Sequence, residues 1–409
     1  MDHPLPTKST RQNDGTWMIA LGAVVASIGA YAFQIVGGRS LGDEGFAPVA
    51  IVWTIGFLVY TIVMLPVEQM TTRTVTLKAG AALEPHSRRQ IAVTLTLGGA
   101  AGVAIAAVGT GRFFEGRSVF IVAMALLMFS RALMTIARGV MAGRRRFHAY
   151  GTSMMLEAFA LTGLGILFAA IGTDSFWFGM SLGAAPLTML LVRPYLVRSD
   201  PERIATELEP QTGSLQMLVI AAALSQLILA GGPLVVSIIG GTAAEVSIYF
   251  FTFTLLRGPI TASYGLATRF LAAMTTSLSD GKPAVLHSWA TRLGALGAVV
   301  AVTAGVVGYY ILPAIIEILY GSEFRPSALV GGLGAAGAVA ALATHFVTQI
   351  LIARGKTRDL AAGWLVGAAV AAVVLAVVDG DPLTRVAWAF TAGELTAFAA
   401  ISVTAWRNS

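Results

Sequence analysis

The sequence predicts an all-α membrane protein with about twelve transmembrane helices, and three observations lead to this class. Hydrophobic residues make up 56% of the 409 positions, and charged residues make up only 12%. The mean hydropathy is +0.77, whereas an ordinary water-soluble domain is about a quarter charged. The apolar residues also form runs of roughly 20, the length with which a helix crosses the ~30 Å hydrocarbon core of a bilayer.

Twelve apolar runs follow one another along the chain, and each predicts one membrane span. They cover approximately residues 17–36, 45–67, 91–108, 119–141, 152–171, 177–196, 215–239, 246–271, 286–311, 329–353, 360–378 and 384–405. Most connections are short. A polar linker joins spans 6 and 7, and its Asp200-Pro201 and Glu209-Pro210 pairs break any helix.

The basic residues between the spans predict the orientation. One set of alternate connections is rich in lysine and arginine, as in Arg144-Arg145-Arg146. The other set holds only Arg39, Arg112, Arg117, Arg325 and Arg385. Because basic loops stay on the cytoplasmic side, we expect a multi-pass protein of the plasma (inner) membrane with both termini in the cytoplasm.

The two halves of the sequence resemble each other. Met70-Thr-Thr-Arg73 ends span 2, and Leu266-Ala-Thr-Arg269 lies near the end of span 8. Basic runs also end spans 4 and 10. The shared order predicts a duplicated six-helix unit, whose copies are related by an axis along the membrane normal. The expected organisation is a cytoplasmic tail (1–16), an N-terminal six-helix bundle (17–197), a cytoplasmic linker (198–213) and a C-terminal six-helix bundle (214–406).

The composition excludes several kinds of chemistry. The chain has no cysteine, which rules out disulfides, thiolate metal sites and a cysteine nucleophile. It contains no nucleophile–base set, metal-spaced histidine cluster or phosphate loop with lysine, so we expect no enzyme, no metal and no cofactor. The net charge of +6 is explained by the cytoplasmic loops, so no nucleic acid partner is expected.

Arginines at membrane depth are the main functional signal. Arg131 lies ~10 residues from the inner end of span 4, and Arg257 lies ~11 residues into span 8, so both are about 15 Å deep. Arg138 follows Arg131 by two turns on the same face. A cation at this depth costs at least ~2.5–3.5 kcal/mol, so it usually faces a cavity or a partner. All three are candidates for binding an anionic substrate, with Arg257 foremost.

Other polar residues in the spans are candidates for weaker roles. Glu157 in span 5 can pair with Arg131 or Arg138, which leaves the other arginine over, and Glu68 in span 2 is a possible tertiary partner of Arg257. Glu394 and His345 are candidates for proton or cation coupling, although helix–helix hydrogen bonding is the simpler interpretation. Three further side chains are candidates for contacting substrate hydroxyls: Gln34, Gln226 and Tyr31.

Two prolines inside spans predict hinges. Arg257-Gly258-Pro259 lies in span 8 and Gly231-Gly232-Pro233 in span 7. Proline removes a helical hydrogen bond and kinks the helix, and broken helices at mid-membrane are typical of transporter sites. A plain packing kink is the alternative.

Short motifs in the loops resemble a known superfamily. Gly38–Phe46 (GRSLGDEGF), Leu319–Phe324 (LYGSEF) and the span 10 exit Ile352–Lys356 (IARGK) resemble loop motifs of polysaccharide flippases. Glu68-Gln69 before Arg73 resembles their span 2 end. These proteins form a branch of the multidrug/oligosaccharidyl-lipid/polysaccharide exporter superfamily. In that superfamily spans 1, 2, 7 and 8 commonly line a central cavity, which implies that Arg257 lies near it and that span 4 is less central.

The resemblance implies a flippase without enzymatic activity. Its substrate would be a polyprenyl-diphosphate-linked oligosaccharide or related anionic polysaccharide precursor, moved from the cytoplasmic to the outer leaflet by alternating access. Membrane lipid and envelope-biosynthesis enzymes are the expected partners. A multidrug or small-molecule antiporter of the same fold is the main alternative. A membrane enzyme of envelope polysaccharides (polymerase, ligase or acyltransferase) and a scaffold without transport activity are the others.

Overall fold

All regular elements of the described chain are helical, which confirms the predicted fold class. The computed structural model describes residues 16–77, 85–192 and 212–407. The predicted tail up to residue 15 and the predicted linker up to residue 211 lie outside the described residues. The elements are α1 (Thr16–Val59), a π-helical turn (Tyr60–Met64), α2 (Leu65–Leu77), α3 (Pro85–Val108), α4 (Thr110–Phe113), α5 (Val119–Gly143), α6 (Phe147–Ala170), α7 (Ser175–Ala184), a 3-10 segment (Ala185–Val192), α8 (Thr212–Ala230), α9 (Gly232–Ile238), α10 (Ala243–Ser279), α11 (Pro283–Tyr320), a 3-10 turn (Ser322–Phe324), α12 (Ala328–Ala353), α13 (Thr357–Val377) and α14 (Pro382–Arg407).

The predicted spans fall on these helices as far as the described residues extend. By length and composition, nine of the described helices can cross a membrane, or ten if the bent pair α8–α9 is one span. The first of the nine carries predicted spans 1 and 2, which meet where Gly42 adopts φ 70° and ψ 178°. Predicted span 7 is the pair α8–α9, bent by 65°. Predicted span 8 lies in α10, which is not among the nine.

The helices pack into two groups that meet along α1 and α10. We call residues 16–192 the N half, in which α1 packs on α6 and α5 packs on α2, α3 and α7. Residues 212–407 are the C half, in which α12 packs on α10, α11 and α14. We call the end of the bundle with Gly42 and Tyr320 the distal end. The opposite end, where α1 begins and α14 ends, is the terminal end.

Small residues allow neighbouring helices to approach closely. On α11 and α12, a Cβ placed on Gly331 would lie 2.9 Å from the carbonyl oxygen of Gly308, and one on Gly332 would lie 3.0 Å from that of Gly305. These distances leave no room for a side chain. In a bilayer the lipid tails are as apolar as the helices, so close backbone packing is a main source of helix association.

Polar caps begin several helices at the distal end. Thr242 and Glu245 form a capping box on α10, with the Thr242 backbone N–H donating to Glu245 Oε2 at 2.7 Å. Asp174 caps α7 and Ser327 caps α12 by accepting backbone N–H bonds. Such caps satisfy donors that the first helical turn leaves free, and they explain why these helices start where they do.

Candidate functional site

Two arginines and a glutamate meet between α5 and α6. Arg131 and Arg138 are seven residues apart on α5, so their side chains share one face of that helix. Glu157 of α6 lies between them, with Oε1 2.9 Å from Arg131 Nη1 and Oε2 2.8 Å from Arg138 Nη2. The sequence alone predicts that one of the two arginines is left without a carboxylate. In the structure the single carboxylate contacts both guanidinium groups, and the trio retains one formal positive charge.

The two arginines differ in accessibility. The Arg138 side chain is 7% exposed; its Nε donates to Ser153 Oγ at 3.2 Å, and its guanidinium lies 5.7 Å from the centre of the Tyr150 ring. The Arg131 side chain is 26% exposed and lies 5.6 Å from the centre of the Tyr60 ring. Arg138 is therefore held in place by protein groups, whereas Arg131 presents part of its guanidinium to open space.

Glu68 extends the polar cluster from the opposite side. The Tyr150 hydroxyl donates to Glu68 Oε1 at 2.7 Å, and the Tyr60 hydroxyl lies 3.5 Å from Oε2. In a regular α-helix, eight residues separate two side chains by about 80° around the axis. The π-helical turn Tyr60–Met64 takes up about one extra residue, which brings Tyr60 and Glu68 towards the same face.

A cavity of about 170 Å³ opens above this cluster inside the N half. Its polar lining residues are Arg131, Glu157 and Tyr60. The remaining lining is aromatic or aliphatic and comprises Trp53, Gly56, Phe57, Leu127, Leu161, Leu182 and Ala185. Apolar walls with a few convergent polar groups are the usual make-up of a small-molecule site. The cavity can hold an amphipathic group with its polar end on Arg131.

Arg257 lies where the two halves meet, outside that cavity. Its Nη2 donates to Thr254 Oγ1 at 2.8 Å, and its guanidinium lies 5.1 Å from the centre of the Phe57 ring. Phe57 also lines the N-half cavity, so this ring contacts both Arg257 and the cavity. Tyr31 of α1 crosses the same boundary and donates to the Thr254 carbonyl at 3.2 Å.

The other predicted polar residues are dispersed. Gln34 is buried, and Gln34 Oε1 and Gln226 Oε1 have no hydrogen-bond partner within the described ranges. Glu394 is 0% exposed, and neither of its carboxylate oxygens has a partner there. The backbone carbonyl of His345 accepts from Gln349 Nε2 at 3.0 Å. Across residues 16–77, 85–192 and 212–407, no three acidic or histidine side chains are grouped to hold a metal ion.

The two predicted hinge prolines have different surroundings. Pro233 lies in the first turn of α9, directly after the bend that separates α8 from α9. Pro259 lies within α10, which continues as one helix on both sides of it. The missing proline N–H leaves the Leu255 carbonyl without its helical donor, so the ladder is locally weakened without a break.

Sequence reasoning missed Tyr60, Tyr150 and Ser153, which complete the polar cluster. One available signal was spacing, because Tyr150, Ser153 and Glu157 follow one another at three and four residues and so share one face of α6. It also missed the cavity walls Trp53 and Phe57. Arg131 was expected to be less central because span 4 seldom lines the cavity in the resembled superfamily, yet it borders the N-half cavity.

Sequence comparison finds relatives but no matching family model. The chain is 26% identical over 391 residues to the uncharacterized protein Rv3630 of Mycobacterium tuberculosis (strain ATCC 25618 / H37Rv), covering 92% of this chain and 88% of the relative. It is 25% identical over the same length to the uncharacterized protein Mb3654 of Mycobacterium bovis. The similarity extends over most of this chain and most of each relative.

Solved structures share the fold over nearly the whole chain. An inward-facing multidrug resistance MATE family transporter of the MOP superfamily matches with a TM-score of 0.66 at 13% identity, over 94% of each chain. An outward-facing MATE transporter matches with a TM-score of 0.53 at 14% identity, over 97% of this chain and 94% of that one. A mutant of the Vibrio cholerae MATE transporter VcmN gives 0.56 at 14% identity, over 97% and 98%. This protein therefore has the fold of the MATE transporters.

Proposed function

We propose that the protein is a membrane transporter that exports small amphipathic anions by alternating access between the N half and the C half. The observation that carries the proposal is the N-half cavity, in which the part-exposed Arg131 faces aromatic walls at membrane depth. The shared fold supports it, since two of the solved structures named above are multidrug resistance transporters. The distal end is proposed to face outside the plasma membrane and the terminal end the cytoplasm.

The charge balance of the site supports an anionic ligand. Glu157 is shared by two guanidinium groups and is 14% exposed, so it is less available to a ligand than Arg131. An anionic group entering the cavity can bond to Arg131 while Arg138 keeps Glu157 in place. Guanidinium binds carboxylates and phosphates through two parallel hydrogen bonds. The rings of Trp53 and Phe57 would then contact the apolar part of the solute.

Glu68 is proposed as the proton-carrying group of the site. Its carboxyl lies beside the arginine–glutamate cluster and is bonded through the hydroxyl of Tyr150. A proton on Glu68 raises the positive charge of the cluster by one, so protonation of Glu68 and anion binding at Arg131 are coupled.

Flippase activity is the second candidate function, and the position of Arg257 favours it. This arginine lies at the boundary between the halves, where a lipid-linked diphosphate could keep its tail in the bilayer while its head group passes. The substrate would be the polyprenyl-diphosphate-linked oligosaccharide that the sequence motifs imply, with envelope-biosynthesis enzymes as partners. If the protein is a flippase, Arg257 and not Arg131 binds the diphosphate head group.

Arg131 provides the test between the two candidates. Proteoliposomes that contain the unmutated (parent) protein are loaded with the anionic dye carboxyfluorescein. They are expected to release the dye faster than dye-loaded vesicles without protein do. Arg131→Gln should lower the affinity about 10- to 100-fold, because one hydrogen bond to a charged group contributes roughly 1.5–3 kcal/mol. The matched control is Arg117→Gln, since Arg117 pairs with Asp174 on the surface of the distal end.

The outcomes separate the candidates. Dye release that is unchanged in Arg131→Gln and lost in Arg257→Gln would move the site to the boundary between the halves and favour the flippase. Small-anion export would be rejected by two results together. The parent would release dye no faster than protein-free vesicles, and it would flip a fluorescent polyprenyl-diphosphate sugar. Ethidium released in preference to carboxyfluorescein would show a cationic substrate.

A further inference from the structure

Two arginines of the N half bond across the distal end to the C half. Arg39 donates from Nη2 to the Ile318 carbonyl at 2.6 Å and from Nε to the Leu319 carbonyl at 3.0 Å. Both carbonyls lie in the last turn of α11, which ends at Tyr320. Carbonyls of a last turn have no donor within their helix, and a cation there is also favoured by the helix dipole.

Arg112 makes the same kind of contact with a different helix. Its Nε donates to the Ser237 carbonyl at 2.6 Å, and Ser237 Oγ donates back to the Arg112 carbonyl at 3.2 Å. Ser237 is the residue before the last one of α9. Arg39 and Arg112 therefore each connect the N half to the C-terminal end of one C-half helix.

Aromatic side chains fill the space beside these bonds. The Phe46 ring of the N half lies 4.6 Å from the Phe251 ring and 5.8 Å from the Phe250 ring of the C half, centre to centre. Phe251 in turn stacks on Tyr320 at 4.1 Å. All four side chains are fully buried. A Cβ on Gly38 would lie 2.9 Å from the Phe251 ring, so the halves touch here without a gap.

The terminal end lacks comparable closure among the described residues. Among the described residues nearer that end, α8 contacts the π-helical turn, whereas α2 has no extensive packing with α8 or α10. The fold also matches the inward-facing MATE structure better than the outward-facing one, with TM-scores of 0.66 and 0.53. The described contacts between the halves therefore close the distal end.

We propose that Arg39 and Arg112 are the two latches of a distal gate, which hold the halves together in this state and release when the transporter opens to the distal side. This inference rests on the proposed transport function. The aromatic contacts exclude water from the closed gate. The arginine hydrogen bonds fix the position of one half relative to the other in the closed gate, because each arginine bonds backbone carbonyl groups at the end of one C-half helix.

The remaining arginines at the distal end provide matched controls. Arg117 pairs with Asp174 inside the N half. Arg325 pairs with Glu317 at 2.7 Å inside the C half, and Arg385 donates to the Leu375 carbonyl at 2.8 Å in the same half. These bonds do not connect the two halves, so removing them should not change how readily the distal end opens.

The test measures the distance between the halves without using transport. The chain has no cysteine, so Ser118→Cys in the N half and Asp379→Cys in the C half give two unique spin-label sites at the distal end. We expect double electron–electron resonance to show mainly a short distance in the parent. Arg39→Gln or Arg112→Gln should raise the ratio of molecules with a long label–label distance to those with a short one about tenfold or more. The reason is that each substitution removes a hydrogen bond from a charged guanidinium to a carbonyl of the other half. The double variant should raise it further.

The controls decide between the gate and a general loss of structure. Arg117→Gln and Arg325→Gln should leave the distance distribution unchanged. If Arg39→Gln does not fold, Arg39→Lys keeps the charge without the forked geometry and should give a smaller shift in the same direction. An unchanged distribution in the Arg39→Gln, Arg112→Gln double variant would reject the latches. If the distribution shifts as expected but carboxyfluorescein is not released by the parent, the gate stands and the proposed substrate fails.

Discussion

At the scale of single residues, the deep charges were predictable but their pairing was not. Hydropathy places Arg131, Arg138 and Glu157 inside apolar spans, and a rise of 1.5 Å per residue gives their approximate depth. That one carboxylate serves both arginines depends on how α5 and α6 pack. The same holds for Glu68, whose tyrosine partners lie on the π-helical turn and on α6.

Removing the shared carboxylate should be strongly destabilising. Glu157→Gln leaves two nearby guanidinium groups without their anion, and breaking such a buried pair costs about 3–5 kcal/mol. Thermal unfolding of the purified protein in detergent measures the loss. Glu317→Gln is the matched control, since its partner Arg325 is largely exposed and exposed pairs contribute about 0–1 kcal/mol. Equal melting temperatures for both variants would contradict the assigned role of Glu157.

At the scale of helices, local pattern predicted where the spans lie but not how they are broken or joined. Each predicted span falls on helix as far as the described residues extend, although α10 and α11 continue well beyond the predicted ends of spans 8 and 9. The bend between α8 and α9 was expected from Pro233, whereas the continuity of α10 through Pro259 was not. Proline weakens a helix at one carbonyl, and neighbouring helices decide whether it bends. The π-helical turn has no signal in the apolar pattern of span 2.

Close packing of α11 and α12 should make Gly308 sensitive to substitution. In Gly308→Ala the new methyl group would meet the Ala335 side chain and lie 2.8 Å from the Gly331 carbonyl oxygen. We expect a loss of about 1–3 kcal/mol from overpacking, measured by thermal unfolding in detergent. Gly163→Ala on α6 has open space around it and should instead gain about 0.5–1 kcal/mol from helix propensity. A loss at both positions would show that packing is not the cause.

At the scale of the whole molecule, the topology can be tested directly because the chain has no cysteine. Arg358 and Asp379 are exposed positions at the two ends of α13, Arg358 in its first turn and Asp379 just beyond its last residue. In intact cells, a membrane-impermeant maleimide should label Asp379→Cys and should label Arg358→Cys only after permeabilisation. The reverse pattern would invert the proposed orientation and would place the latched distal end in the cytoplasm.

The sequence by itself determined the membrane class, the approximate spans and the depth of the charged residues. These properties depend on local hydropathy and on the fixed rise of a helix, which neighbouring helices do not change. Only the tertiary structure decided that Arg131 borders a cavity, that Arg138 is fixed beneath it and that Arg39 and Arg112 join the halves at one end. Such contacts join residues far apart in the chain, and close packing between apolar helices sets their register. Many registers satisfy the same hydropathy pattern, so the pattern alone cannot select among them.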